Sequence, residues 1–398
     1  MAQDNNHGTS EAAALFIGGS WLEKIGRSRG ASWMALGRRL LENRAKRLIS
    51  VDGTFSQYSL NYHRVMLDTF SMVEVWRQKL SLPEFSALWY NLAQAATNWQ
   101  YLMINRWNGD GPNLGANDGA RLLQLTDTDY RDFRPSVQLA SVLFAGAKAY
   151  SEEGLWDHPL IWLDLATPRD LLPETKSQVF DRGGFALLCD GDAKAVLRYP
   201  RFRFRPSQAD ALHLDLWLQG RNLLRDAGTY SYNTKERWLN YFPGTESHNT
   251  IQFDNRDQMP RLSRFLFGDW LKTSVFQPLS RSSNGQMVTA GYKDRYNVRH
   301  TRAVYLSAGL LRVTDEINGF IDKAILRWRL EPGNWQFSEG LLTNGSHTIK
   351  VVGDMPINRC ELVEGWESRF YQEKQSVPVL EVEVNQSGTL ITEYRWSA

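Results

Sequence analysis

Leu212-His213-Leu214-Asp215-Leu216-Trp217-Leu218 places an apolar leucine at every second position. A period of two belongs to a strand, whose side chains leave the backbone on alternate faces. The stretch therefore reads as a half-buried strand, leucines inward, with His213, Asp215 and Trp217 on the other side. His248-Asn-Thr-Ile-Gln-Phe-Asp254 alternates in the same way and puts His248 on the polar side. Further short β-like runs lie at 184–189, 195–199, 304–306, 310–314, 349–352, 379–384 and 390–394. Many short strands separated by turn signals predict an antiparallel β-sandwich and not a parallel sheet.

Upstream of Pro168-Arg-Asp-Leu-Leu-Pro173 the period changes. Within 60–82, Tyr62, Met66, Thr69, Val73, Trp76 and Leu80 recur at steps of four and three, the spacing of one helix face. Helices are also expected at 11–24, 30–50, 83–103 and 135–150, with a short one near 155–165. A loop rich in Gly, Asn and Asp interrupts the series at 108–118. Short connections between consecutive helices predict antiparallel hairpins. The expected organisation is a helical domain over 1–165 and a β-sandwich domain over 175–398, with a linker near 164–175.

A chain of 398 residues can hold two or three domains with full cores. Its formal net charge of +2 is too small to point to nucleic acid. The 15 Trp, 15 Tyr and 18 Phe suit stacking on apolar sugar faces and suit a bulky core equally well. Cys189 and Cys360, far apart, predict two free and mostly buried thiols. No apolar run is long enough to span a membrane. The start, Met1-Ala-Gln-Asp-Asn-Asn-His7, has neither a basic nor an apolar leader region, so no export signal is expected and the compartment stays open.

Four segments could carry chemistry, and each has a plainer reading. Asp4-Asn-Asn-His-Gly-Thr-Ser-Glu11 reads as a helix start capped by Thr9 or Ser10. In Asp52-Gly-Thr-Phe-Ser-Gln-Tyr-Ser-Leu-Asn-Tyr62-His63, Tyr62 continues an apolar stripe, yet a phenol near a first helical turn can also face a cleft. Arg201, Arg203 and Arg205 fall on one strand face, either a solvated row or a contact for an anionic polymer; Asp226-Ala-Gly-Thr-Tyr-Ser-Tyr232 follows. In Thr245-Glu-Ser-His248-Asn-Thr250 a lone strand histidine is more often structural than catalytic.

Taken in order, Asn-Asn-His-Gly-Thr-Ser-Glu, Asp-Gly-Thr-Phe with Ser-Leu-Asn-Tyr-His, Gly111-Pro-Asn-Leu-Gly-Ala-Asn-Asp-Gly119, Asp226-Ala-Gly-Thr-Tyr and His248-Asn-Thr resemble the heparinase II/III-like polysaccharide lyases. The version is similar to members from bacterial capsule and O-antigen gene clusters. The resemblance implies an (α/α) toroid of helical hairpins followed by an antiparallel β-sandwich, with a substrate cleft between them. It implies β-elimination on a uronate-containing acidic polysaccharide. A C5 proton beside a carboxylate is weakly acidic, so that carboxylate must be neutralised while a base takes the proton and an acid protonates the departing oxygen.

By motif, the resemblance gives Asn6 to the substrate carboxylate, His7 to its neutralisation or to the base, and Tyr62 to the general acid. His248 joins them as a catalytic candidate, and His63, Arg201, Arg203, Arg205 and Tyr232 are candidates for substrate binding. The reaction requires no cofactor. Relatives hold a structural metal, often zinc, on residues that match Asp226 and His248, with a histidine in the segment matching Pro206-Ser-Gln208-Ala-Asp210. This chain has Pro206 and Gln208 there, and Gln is a poor zinc ligand. His213, five residues beyond Gln208, could compensate and keep a structural zinc possible, though its position does not match the motif. The family's toroid also begins well upstream of the Asn-His motif. A partial toroid exposes apolar helix faces and predicts self-association or a partner that supplies the missing helices. The alternative to a lyase is a non-catalytic glycan-binding or assembly factor in capsule or O-antigen production. A hydrolytic glycosidase would need two carboxylates flanking a sugar bond, and no spacing singles out such a pair.

Overall fold

The computed structural model describes residues 4–396, so Met1-Ala-Gln3 of the expected leader-free start lie outside the described residues. The chain forms two compact units, one of residues 1–111 and 119–175, the other of 112–118 and 176–398. The loop expected only to interrupt the helices thus lends 112–118 to the second unit. Asn113 Nδ2 donates to the Ser368 carbonyl (2.7 Å) and Gly115 N to Gln208 Oε1 (3.0 Å), which fixes it there.

The helical unit contains α1 (Asn6–Lys24), α2 (Gly30–Leu48), α3 (Leu60–Lys79), α4 (Ala87–Met103), α5 (Arg134–Ala145) and α6 (His158–Trp162), with a 3-10 turn over Leu155–Asp157. α1 starts earlier than its apolar stripe. Asn5 is the cap, its side chain accepting from His7 N, and Thr9 instead bonds back to the Asn6 carbonyl at 2.8 Å. Asn caps as well as Ser or Thr, so the helix takes in the whole polar segment. α1 and α2 approach at backbone distance: a Cβ added at Gly19, Gly30 or Gly37 would lie 2.2–2.3 Å from a backbone nitrogen of the other helix or its entry. α3 is buried on nearly every side, polar Asn61, His63, Arg64 and Asp68 included. α4 begins at Ala87 because Ser86 caps it, and α5 stops at Gly146, which takes a left-handed φ of 64°. No helix among the described residues is long and apolar enough to cross a membrane.

In the second unit, β1 (Gln178–Phe180), β2 (Phe185–Asp190), β3 (Ala193–Arg198), β4 (Leu214–Leu218) and β5 (Arg221–Leu224) form an antiparallel meander. A short helix α7 (Glu236–Tyr241), β6 (Ile251–Phe253) and a small hairpin of β7 (Arg261–Ser263) and β8 (Leu266–Phe267) follow. Then come β9 (Thr273–Ser282), β10 (Gly285–Lys293), β11 (Arg299–Ser307), β12 (Leu310–Asn318), β13 (Ala324–Arg329), β14 (Gln336–Ser338), β15 (Leu341–Thr343), β16 (His347–Gly353), β17 (Arg359–Glu367), β18 (Gln375–Val384) and β19 (Gly388–Trp396). They build a sheet of order β14-β15-β16-β19-β12-β11-β10-β9 and another of order β17-β18-β13-β6. One apolar core runs through all three large sheets, from Leu214 and Leu216 to Val304, Val313, Trp328 and Leu380. This is the sandwich-like architecture that the alternating runs imply.

Three local expectations change. β4 is buried on both faces, so alternation there does not separate core from solvent; His213 and Asp215 are fully buried. The strand starts only at Leu214, because Leu212 has a left-handed φ of 61°. Residues 201–213 carry no named strand, so Arg201, Arg203 and Arg205 share no strand face. His248 follows a 3-10 turn over Thr245–Ser247 and precedes β6, so it is not a strand residue either.

Candidate functional site

The helical unit brings the starts of α1 and α3 together. Asn6 is the first residue of α1, and its backbone N–H donates to Gln57 Oε1 at 2.7 Å. Ser56 Oγ donates to the Asp4 carbonyl (3.0 Å), and Arg47 grips the Asp4 carboxylate through two nitrogens at 2.7 and 2.8 Å. Two residues after Gln57, Ser59 caps α3 by accepting from Tyr62 N at 3.1 Å. Asn6 and Tyr62 therefore both sit in the first turn of a long helix, where backbone N–H groups point outward and the helix dipole favours negative charge. Asn6 is half-buried and His7 exposed, whereas Tyr62 is only 6% exposed. Gln57, the residue that joins the two motifs, has no signal in the sequence beyond its position between them.

His63 is not available for substrate. Its ring is buried, stacks on Trp99 at 4.4 Å between centroids, and places Nε2 2.8 Å from the Ala96 carbonyl. Burial drives its pKa down to about 4, only partly offset by that carbonyl. The expected substrate role is corrected to that of a neutral core histidine: the helix turns position 63 inward, one residue after Tyr62.

The second unit assembles a polar cluster that the linear motifs separate. His248 Nδ1 lies 3.0 Å from Asp226 Oδ2, and His213 Nε2 lies 3.5 Å from the same oxygen. His213 Nε2 is closer still, 2.7 Å, to Asp215 Oδ2. Gly228 N donates to Asp226 Oδ1 (2.7 Å) and Asn222 Nδ2 to Asp215 Oδ1 (2.8 Å). Burial opposes ionisation of Asp226, but the two imidazoles and the Gly228 N–H outweigh it and hold the carboxyl below its usual range. Burial opposes a charged His213, while Asp226 and Asp215 draw a proton toward the ring nitrogen that faces them. A second ring proton on His213 would nevertheless collide with the Asn249 N–H, which already donates to Nδ1 at 2.9 Å. That contact keeps the ring neutral.

All of His213, Asp215, Asp226, His248 and Asn249 are fully buried. His248 is fully buried, which corrects its expected catalytic role to that of a partner of Asp226. His213, the residue that could compensate despite its position, is Asp226's second imidazole. The His213-x-Asp215 pair on one strand side was the available signal. Asn249 was missed as well. Its Nδ2 donates to the Leu214 carbonyl (2.9 Å) and Arg225 carbonyl (3.3 Å), and its Oδ1 accepts from Arg329 N (2.6 Å). Beneath it, Arg302 Nη1 donates to the Leu212 and Asn249 carbonyls, both at 2.6 Å, while Nε and Nη2 bind Asp315. Despite burial, Arg302 and His300 hold Asp315 at about 2.

Of the expected substrate residues here, Arg203 and Arg205 are exposed, and Arg201 pairs with Asp181 at 3.0 Å. Tyr232 is half-buried among aromatics, 4.9 Å from the Phe265 ring and 5.7 Å from Tyr371.

His213, Asp226 and His248 are the one group with metal-ligand spacing among the described residues. Their protons do not suit an ion. The Asn249 N–H takes the lone pair of His213 Nδ1, so Nε2 carries the ring proton and faces the carboxylates. Gln208 adds no ligand: its Oε1 accepts from Gly115 N, and its Nε2 donates to the Gly228 carbonyl at 3.2 Å. The residues present do not fit a structural zinc.

A family model described as heparinase II/III-like, C-terminal, matches residues 172–394. A comparison with curated protein sequences gives no significant match. Among solved structures, a heparinase III gene product is similar over 99% of this chain and 60% of its own, at 18% identity and a TM-score of 0.77. Heparan sulfate lyase HepC from Pedobacter heparinus is similar over 97% of this chain and 59% of its own, at 17% identity and 0.72. A chondroitin AC lyase mutant from Streptomyces coelicolor A3 follows at 13% identity and 0.55, over 93% and 58%. The chain thus spans about 60% of the length of the lyases it matches. At these identities the structural likeness speaks for the fold, that of polysaccharide lyases, and the family rests on the match over the sandwich: the chain belongs to the heparinase II/III-like family.

Proposed function

We propose that the protein is a polysaccharide lyase that cleaves a uronate-containing acidic polysaccharide by β-elimination, in the setting of capsule or O-antigen production. The observation that carries this reading is the pairing of two helix starts, Asn6 on α1 and Tyr62 on α3, through Gln57 and Ser56. In the proposed reaction the Asn6 amide holds the uronate carboxylate as charge builds on it, with His7 beside it to assist or to act as base. The C5–H electrons form the C4–C5 double bond, the C4–O4 bond breaks, and Tyr62 gives its proton to O4. A phenol's ordinary pKa of about 10 suits an acid at neutral pH better than a base. No step needs water or a cofactor. Heparan sulfate and chondroitin, named for the similar lyases, supply the substrate class to test first.

A second reading is favoured by one observation. Gln208 occupies the segment where relatives carry histidine, and its amide is spent on Gly115 and Gly228. A non-catalytic glycan-binding or assembly factor would tolerate that loss. Self-association, or a partner covering the exposed Trp21, Ile25 and Trp33, belongs to either reading.

The two are separated by incubating the protein with a panel of uronate polymers and following the ultraviolet absorbance of the unsaturated uronate product. The lyase reading expects product from the wild type and a rate at least about 100-fold lower from Tyr62→Phe. Equal glycan binding by both proteins with product from neither would leave the binding-factor reading standing and the lyase reading refuted.

A further inference from the structure

We infer that this chain closes its buried His213–Asp226–His248 cluster with protons instead of a metal ion, His213 acting as a hydrogen-bond donor where a ligand would stand. This does not depend on the lyase reading.

By heavy atoms alone an ion is plausible. A tetrahedral zinc with bonds near 2 Å keeps its ligands about 3.3 Å apart, close to the 3.0 and 3.5 Å separations around Asp226 Oδ2. The protons decide otherwise. A peptide N–H is always a donor, so His213 Nδ1, 2.9 Å from Asn249 N, must present its lone pair. In a neutral imidazole the hydrogen is then on Nε2. There it meets Asp215 Oδ2 at 2.7 Å. Coordination through Nε2 would require an imidazolate, or would require the Asn249 peptide to turn.

That peptide is held on every side. The Asn249 side chain bonds Leu214, Arg225 and Arg329, and its carbonyl accepts from Arg302 Nη1. One Asp226 oxygen accepts from Gly228 N, and the other lies 3.0 Å from His248 Nδ1. The nitrogen of this cluster left without a protein partner is His248 Nε2. With His213 Nε2 protonated, Asp226 and His248 leave at most two ligands, and a structural zinc site takes four. Hydrogen bonds instead join residues 209–215, 226–228 and 245–250, the mechanical work a metal would do, without metal dependence.

The test uses the full chain purified without chelator. Elemental analysis should find less than about a tenth of a tightly held metal ion per chain. Melting should move by less than about 1 °C with excess EDTA or with added zinc. With histidine labelled in its ring nitrogens, NMR should show one ring locked as the Nε2–H tautomer, its signals absent in His213→Gln. If that variant fails to fold, the wild-type melting and metal content still decide. A stoichiometric ion whose removal lowers the melting temperature by about 5 °C or more would overturn the inference. So would an Nδ1–H tautomer for His213.

Discussion

Replacing Asn249 by Ala should cost the sandwich unit about 4 kcal/mol. Two of its side-chain bonds are well made, Nδ2 to the Leu214 carbonyl at 2.9 Å and Oδ1 from Arg329 N at 2.6 Å, and a third to Arg225 is long at 3.3 Å. Asn249 is fully buried, so no water stands ready to replace the lost partners. A hydrogen bond contributes about 1 kcal/mol net, and a buried group left unmet costs about 1–3 kcal/mol. Roughly 2 kcal/mol for each good bond, with little from the third, gives the estimate. For a unit of this size that is a fall in melting temperature of about 8–16 °C. The backbone N–H to His213 survives the substitution, so the loss reports the side chain alone. Calorimetry and urea denaturation measure it, with exposed Asn318→Ala as a control expected within about 0.5 kcal/mol of wild type. A loss below about 1 kcal/mol would show that Asn249 does not knit the strands together.

Two Gly→Ala changes in one helix pair should have opposite signs. Gly37→Ala puts a Cβ 2.3 Å from Phe16 N and should destabilise by about 2–3 kcal/mol despite better helix propensity, whereas Gly18→Ala meets open space and should stabilise by about 0.5–1 kcal/mol in urea unfolding. Like signs would remove the close-approach argument. The pH dependence of the helical unit should hide two opposed terms. Burial raises Asp68 to about 6, so stability contributed by its protonated form is lost as pH rises from about 4 to 6. Burial lowers His63 to about 4, so the unfolded state binds its proton first and stability is lost as pH falls from 6.5 to about 4. Each is worth about 3 kcal/mol. The wild type should therefore be nearly flat between pH 4 and 6, and Asp68→Asn should uncover a steep acid loss. A variant as flat as wild type in pH-dependent urea midpoints would contradict this.

Local repetition made much of the architecture legible. The four-and-three stripe from Tyr62 to Leu80 and the alternation at 214–218 each follow from geometry within one element, and such patterns need no knowledge of neighbours. The change of period near Pro168 is legible for the same reason, and the motifs in sequence order pointed to the family. Polarity within those patterns was a poorer guide. Alternation equates the polar side of a strand with solvent, and that fails for Asp215 because β4 is covered on both faces. A helix stripe names its apolar face but cannot say that the opposite face is covered too, as it is at His63 and Asp68.

The sequence by itself determined that a helical part precedes an antiparallel β part, and that two polar motifs open α1 and α3. Only tertiary structure decided which polar groups meet. Gln57 reaches Asn6 across 51 positions, and the Asn249 N–H reaches His213 across 36. Backbone periodicity is set by the nearest few residues, whereas a hydrogen atom's place on an imidazole is set by whichever distant donor packing brings to it.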